Sequence, residues 1–148
     1  MANVQDVAAY ILQKQGKMSA MKLQKLVYYA KAWHLVWEEV ALFPEQIQAW
    51  ANGPVVYELY KVHRGRFEVT AGMFRAGDPN NLEPNEKESI DAVMQHYGKL
   101  KAYELSDLTH REAPWKDARS ALPAGAPCST PITDVAMYEY YDGLVGTQ

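Results

Sequence analysis

MSAMKLQKLVYYAKAWHLV, residues Met18–Val36, carries the pattern on which the fold turns. Leu23, Leu26, Val27, Ala30 and His34, continued by Trp37, recur at helical spacing and form one apolar stripe. Tyr28, Ala32 and Leu35 follow at i, i+4 and i+7 and lie on nearly the opposite side. Ser19 is placed to cap the helix, which is predicted to run to about Trp37. A helix that is apolar on two sides is either buried on both, or buried on one and docked on the other. The expectation is a central helix around which the rest of the chain packs.

Outward from it, Val4, Val7, Ala8, Ile11 and Leu12 predict an amphipathic helix over Val4–Gln15, closed by Gly16. After Pro44, Ile47 and Ala49 alternate with Gln46 and Gln48 and predict a short strand ending at Trp50. Asn52-Gly53-Pro54 reads as a turn, with Pro54 opening a helix over Val55–His63 that Gly65 ends. Phe67–Ala71 is a candidate second strand, and Gly72–Pro84 an irregular loop. Helices are predicted from Pro84 to Gly98, over Ala102–Glu112, and from Pro114 to Ala121. A Pro/Ala/Gly loop then leads to a last helix, with Thr133 as cap and Ile132 stapled to Met137. The fold class is mainly α with minor β: a compact helical domain with a small inserted hairpin or two short strands. At 148 residues, one domain over 1–148 is expected.

Hydrophobic residues make up 48% and charged residues 22% of the chain, the balance of a soluble globular protein. The net charge of −3 is not the basic footprint of a nucleic-acid binder. The opening MANVQDVAAYILQKQ is amphipathic, unlike a secretory leader, and no apolar run suggests a membrane span. A cytoplasmic location is expected. The single cysteine, Cys128, excludes an internal disulfide and reads as a loop thiol.

Of the four histidines, His34 falls on the apolar stripe and reads as a hydrogen-bonded core residue. His63 and His96 stand near helix C-termini, where the dipole favours an imidazolium. None has metal-ligand spacing, and no metal or cofactor is expected. The carboxylates Glu38, Glu39, Glu83, Glu86, Glu88 and Asp91 read as turns, helix starts and solvated faces. The densest chemistry lies in ELSDLTHREAPWKDAR, Glu104–Arg119. A hydrolase or transferase could be centred on His110, Glu112 and Asp117 there, but a nucleophile and an oxyanion or metal device are missing. The same residues suit a helix–helix corner, in which Thr109 and His110 satisfy helix ends and the Trp115 N–H finds an acceptor. The structural reading outweighs the catalytic one, and no enzyme is expected.

Met18–Val36, LFPEQIQAWANGPVVYELYK (Leu42–Lys61) and Glu104–Arg119, in this order and spacing, resemble the Panacea domain of SocA-like antitoxins and so-called phage-associated proteins. The residues carrying the resemblance are Lys22, Leu23, Gln24, Lys25, Leu26, Tyr28 and Tyr29, then Ala49, Trp50, Gly53, Pro54, Val55 and Tyr60. Leu105, Thr109, His110, Pro114, Trp115 and Arg119 complete the set. The resemblance implies a helical antitoxin that neutralises a cognate toxin, usually encoded by an adjacent gene, through direct binding. One member of that family is instead an adaptor that delivers its toxin to a bacterial protease, which stands as the alternative. Some members add a DNA-binding domain; the three blocks consume this chain, so no direct nucleic-acid contact is expected. The motif residues are expected to pack the fold. Partner contacts are expected from Met73, Phe74 and Arg75 in the Gly72–Asn81 loop and from Tyr138, Tyr140 and Tyr141, residue types that interfaces favour.

Overall fold

The computed structural model describes residues 2–123 and 125–146. The chain runs α1 (Val4–Gln15), β1 (Met18–Ser19), α2 (Ala20–Glu38), β2 (Ile47–Trp50), β3 (Gly53–Val56) and α3 (Tyr57–His63). It continues through β4 (Glu68–Val69), α4 (Pro84–Tyr97), α5 (Ala102–His110), α6 (Ala113–Arg119), β5 (Pro131–Ile132) and α7 (Asp134–Gly146). The fold is mainly helical with small antiparallel sheets, in the class that the sequence predicts.

Helix α2 starts where Ser19 Oγ accepts the Lys22 N–H at 3.1 Å. Both of its stripes are buried: Leu23, Leu26, Val27 and Ala30 on one side, Tyr28 and Ala32 on the other. Helices α1, α4, α5 and α7 and strand β3 surround it. Trp37 departs from the pattern. It lies on the predicted core stripe but is 45% exposed, because the helix end carries it past the core, where it stacks on Trp33.

Two buried charged residues, Lys31 on α2 and Asp6 on α1, tie their helices to distant chain. The buried Lys31 ammonium donates to the Glu45 carbonyl at 2.9 Å and pairs with Asp134 at 3.4 Å, joining α2 to the start of α7. Asp6, also buried, reaches back to the Asn3 N–H at 2.9 Å and accepts from the Asp78 N–H at 2.7 Å. Gly77 lies so close to the Gln5 carbonyl that a Cβ there would collide with backbone. The loop expected to be irregular and partner-facing is thereby fastened to the first turn of α1.

The sheets correct several sequence expectations. Strand β2 forms where predicted, but Gly53–Val56 is its antiparallel partner and not the start of a helix. Ala51-Asn52 makes the tight turn, and Val55 and Val56 suit a buried strand, so Pro54 stands opposite Ala49 and α3 begins at Tyr57. Strands β1 and β5 were not foreseen; the former pairs with β4 and the latter completes the order β3-β2-β5. Helix α5 ends at His110 rather than Glu112, and α6 ends at Arg119, where Ser120 turns to φ 55°.

Candidate functional site

The three motif blocks meet in one buried polar corner. From α2, Gln24 grips strand β3: its amide donates to the Val56 carbonyl at 3.2 Å and its Oε1 accepts the Val56 N–H at 2.9 Å. The same amide nitrogen lies 2.9 Å from His63 Nε2. Since the amide can only donate, His63 accepts and is neutral. Burial lowers its pKa, a backbone hydrogen bond opposes this and the nearby Lys25 adds to it; the acceptor role toward Gln24, not the helix dipole, thus sets the state of this ring.

Lys25, beside Gln24, is 1% exposed, and burial alone brings its pKa down to about 7. Its stem fills the space over Gly53, where a Cβ would stand 2.5 Å from Cε; with φ +121°, that position requires glycine twice over. Thr109 packs at the same point and donates to the Ser106 carbonyl at 2.7 Å.

Helices α5 and α6 then clamp the β2–β3 hairpin through its backbone. Ser106 Oγ donates to the Asn52 carbonyl at 2.6 Å, Trp115 Nε1 to Trp50 at 2.8 Å and Arg119 Nη1 to Ala49 at 2.9 Å. Arg119 Nη2 also donates to the carbonyls of Pro123 and Ala126, at 3.0 and 2.6 Å, holding the chain that leads toward β5. His110 stacks on Trp115 at 3.9 Å and 10°, and its buried Nε2 has no hydrogen-bond partner among the described residues. Burial lowers its pKa, with Lys25 and Arg119 acting in the same direction. His34, fully buried, shares a 2.8 Å hydrogen bond with Ser89.

Glu112, read in the sequence as one charge of this corner, turns the other way. Although separated from Tyr29 by 83 positions and from Tyr141 by 29, its Oε1 accepts both hydroxyls at 2.7 Å. The Tyr141 proton being spent there, Tyr28 must be the donor across the 3.0 Å Tyr28–Tyr141 contact. Glu112 is 7% exposed, and burial raises its pKa against the lowering effect of the tyrosine hydrogen bonds. It also lines a cavity of about 590 Å³ with Trp33, Trp37, Tyr97, Leu108 and Leu144. Trp33 donates its N–H to Tyr97 at 2.9 Å and stacks on Trp37 at 5.5 Å, so it offers the cavity only its ring. Sequence reasoning missed this arrangement. Its one visible signal was Trp33 and Trp37 at i and i+4, on a helix already apolar on two sides.

A second concavity, of about 640 Å³, lies between Trp50 and Tyr57 and the 125–129 segment. Cys128 borders it, with its thiol pKa lowered by hydrogen bonds to Thr130.

The residues expected to face a partner divide. Phe74 is 1% and Tyr141 0% exposed, so both belong to the core and the expectation is corrected for them. Arg75 is exposed, whereas Met73, Tyr138 and Tyr140 are half-buried. Tyr138 donates to Glu39 at 3.3 Å. The proposed catalytic set does not come together: His110 faces Trp115, Glu112 faces the tyrosines and Asp117 is exposed. Among the described residues no His/Cys/Asp/Glu group is arranged to hold a metal, and no helix is long and apolar enough to cross a membrane.

A family model described as "Antitoxin SocA-like, Panacea domain" matches residues 23–116, from the α2 motif through the first turn of α6. No curated protein and no solved structure matches the chain. With the match spanning more than half of its 148 residues, the chain belongs to the SocA-like antitoxin family of Panacea domains.

Proposed function

We propose that this chain is a cytoplasmic antitoxin that neutralises a cognate toxin, encoded by an adjacent gene, by binding it directly and without catalysing a reaction. The family match over 23–116 carries this reading. It is supported by the way the motif side chains are used: Gln24, Ser106, Trp115 and Arg119 spend their hydrogen bonds on the chain's own backbone. Residues so engaged build a scaffold, and recognition then belongs to the remaining surface. That all helices share one core further supports a single domain over 1–148.

Co-expression with the product of the neighbouring reading frame tests the proposal. Growth should be restored and the two proteins should co-purify; continued toxicity with no complex overturns it. A partner that is rescued but whose half-life shortens in the presence of this chain would assign delivery to a protease instead.

A further inference from the structure

The cavity at Glu112 is lined by aromatic side chains and a carboxylate. Trp33, Trp37 and Tyr97 supply aromatic surface, with Trp33 and Trp37 stacked on each other and Tyr97 stacked on Tyr29; Leu108 and Leu144 supply apolar surface, and Glu112 is the one carboxylate among the described lining residues. Among the described residues no lysine or arginine lines it. The histidine among the described lining residues is His96, exposed at the end of α4, and Arg111 acts on Glu112 from the neighbouring position.

Both tyrosine hydroxyls that reach Glu112 converge on Oε1, and among the described residues no hydrogen bond reaches Oε2. Oε2 is therefore the acceptor still open at the cavity: the buried side-chain atoms without a partner among the described residues are His34 Nε2 and His110 Nε2, and Oε2 is not one of them. The last turns of three helices add to the same polarity: His96 and Tyr97 from α4, Leu108 from α5, and Leu144 from α7 all line the cavity. Helix C-termini carry partial negative charge, which favours a cation. Ring faces attract cations as well, with tryptophan the strongest, and a planar guanidinium both stacks on indole and donates to a carboxylate.

We propose that this cavity receives an arginine side chain of the partner protein, the guanidinium donating to Glu112 Oε2 beside the aromatic side chains of Trp33, Trp37 and Tyr97. The volume of about 590 Å³ leaves room for an apolar neighbour of that arginine against Leu108 and Leu144. The inference rests on the antitoxin reading only in naming the partner as the toxin. The charge complementarity stands without it.

The experiment titrates the whole chain with the peptide acetyl-Leu-Arg-Leu-amide and with its citrulline counterpart, which keeps the shape and removes the charge. Binding is read from the methyl signals of Leu108 and Val93 and the indole N–H of Trp37. The arginine peptide should produce saturable shifts, and the citrulline peptide should bind at least about tenfold more weakly. Glu112→Gln retains an acceptor for Tyr29 and Tyr141 and should abolish the preference for arginine. Trp37→Ala, at an exposed position, should weaken arginine binding in a folded protein and carries the test if Glu112→Gln does not fold. Equal binding of the two peptides, no shifts at the cavity, or an arginine preference intact in both variants overturns the proposal. Choline bound as tightly as the arginine peptide also overturns it, by assigning a small cationic metabolite. Toxin rescue that persists in both variants would reject the cavity while leaving the antitoxin reading in place. Failed rescue by the unaltered chain would reject that reading while the peptide result stands.

Discussion

Lys25 and Glu112 are both buried charges, and they are buried for different ends. Lys25 lies against Gly53 and Thr109, with no carboxylate paired to it among the described residues, and burial brings its pKa down to about 7. Glu112 is held by two tyrosines on one oxygen and borders an aromatic cavity. A charge shut into a closed corner can be relieved only by giving up its proton. A charge beside a cavity can also be relieved by a partner that brings the opposite sign. The first arrangement locks three sequence blocks together, and the second is suited to recognition.

The sharpest way to break this contrast is to damage the closed corner and the open cavity separately. Arg119→Ala should have the largest effect, costing more than about 3 kcal/mol by removing charged hydrogen bonds to the buried Ala49 carbonyl of the hairpin and to the Pro123 and Ala126 carbonyls of the following loop. Chemical denaturation would show it, and a loss below about 1 kcal/mol would mean that the corner does not hold the fold. Gly53→Ala should cost about 3 kcal/mol, since it combines a φ of +121° with a Cβ set against Lys25. Lys25→Met in the same chain should recover part of that loss; no recovery would place the strain in the backbone alone.

Lys25→Met by itself probes the buried charge. The folded pKa of about 7 lies below the unfolded 10.5, so between these values the unfolded chain binds the extra proton. Lys25 therefore makes stability rise with pH, by about 1.4 kcal/mol per unit within that window. The variant should be more stable at pH 7, and its advantage should shrink as pH rises toward about 9.5. Above about pH 10, Tyr28, Tyr29 and Tyr141 reverse the trend in both proteins: burial raises their pKa values, so the unfolded chain ionises first. Parallel curves for the two proteins would show that Lys25 is not desolvated.

On the open side the effects on stability should be small. Trp37→Ala should cost less than about 1 kcal/mol, while weakening the complex with the toxin. A loss as large as that of Arg119→Ala would collapse the distinction between the regions. Arg75→Ala should lie within about 0.5 kcal/mol of the parent and bears only on whether its loop touches the partner. An unchanged dissociation constant for the toxin complex would remove that loop from the interface.

What was legible in the sequence was local. The limits of α1 and α2 followed from helical periodicity with Gly16 and Ser19, and α4 from Pro84 and Gly98, because caps and stops act within a few residues. Strand β1 has two residues and β5 two, too few for any period, and each exists through a partner elsewhere in the chain. Pro54 was misread because an N1 proline and a strand proline look alike until the pairing with Ala49 is known. The site was harder still. Glu112 stands in a run of charges that suggests a solvated corner, and nothing nearby reveals that Tyr29 and Tyr141 will claim it. Phe74 and Tyr141 have the residue types of an interface, but type does not distinguish an interface from a core.

The grip of Gln24 on Val56 reaches beyond folding. Val56 turns its N–H and C=O toward Gln24 and away from β2, and Pro54, two residues earlier on the same face of the ladder, has no N–H to offer. The outer flank of β3 is thus closed to a further strand. At the opposite flank, β5 is two residues long and begins with Pro131, a poor template for pairing. Both rims of the three-stranded sheet are in this way shut to β-augmentation. A partner that meets this sheet must therefore be read by side chains, where a change of residue changes the choice of partner, and not by backbone, which is the same in every protein.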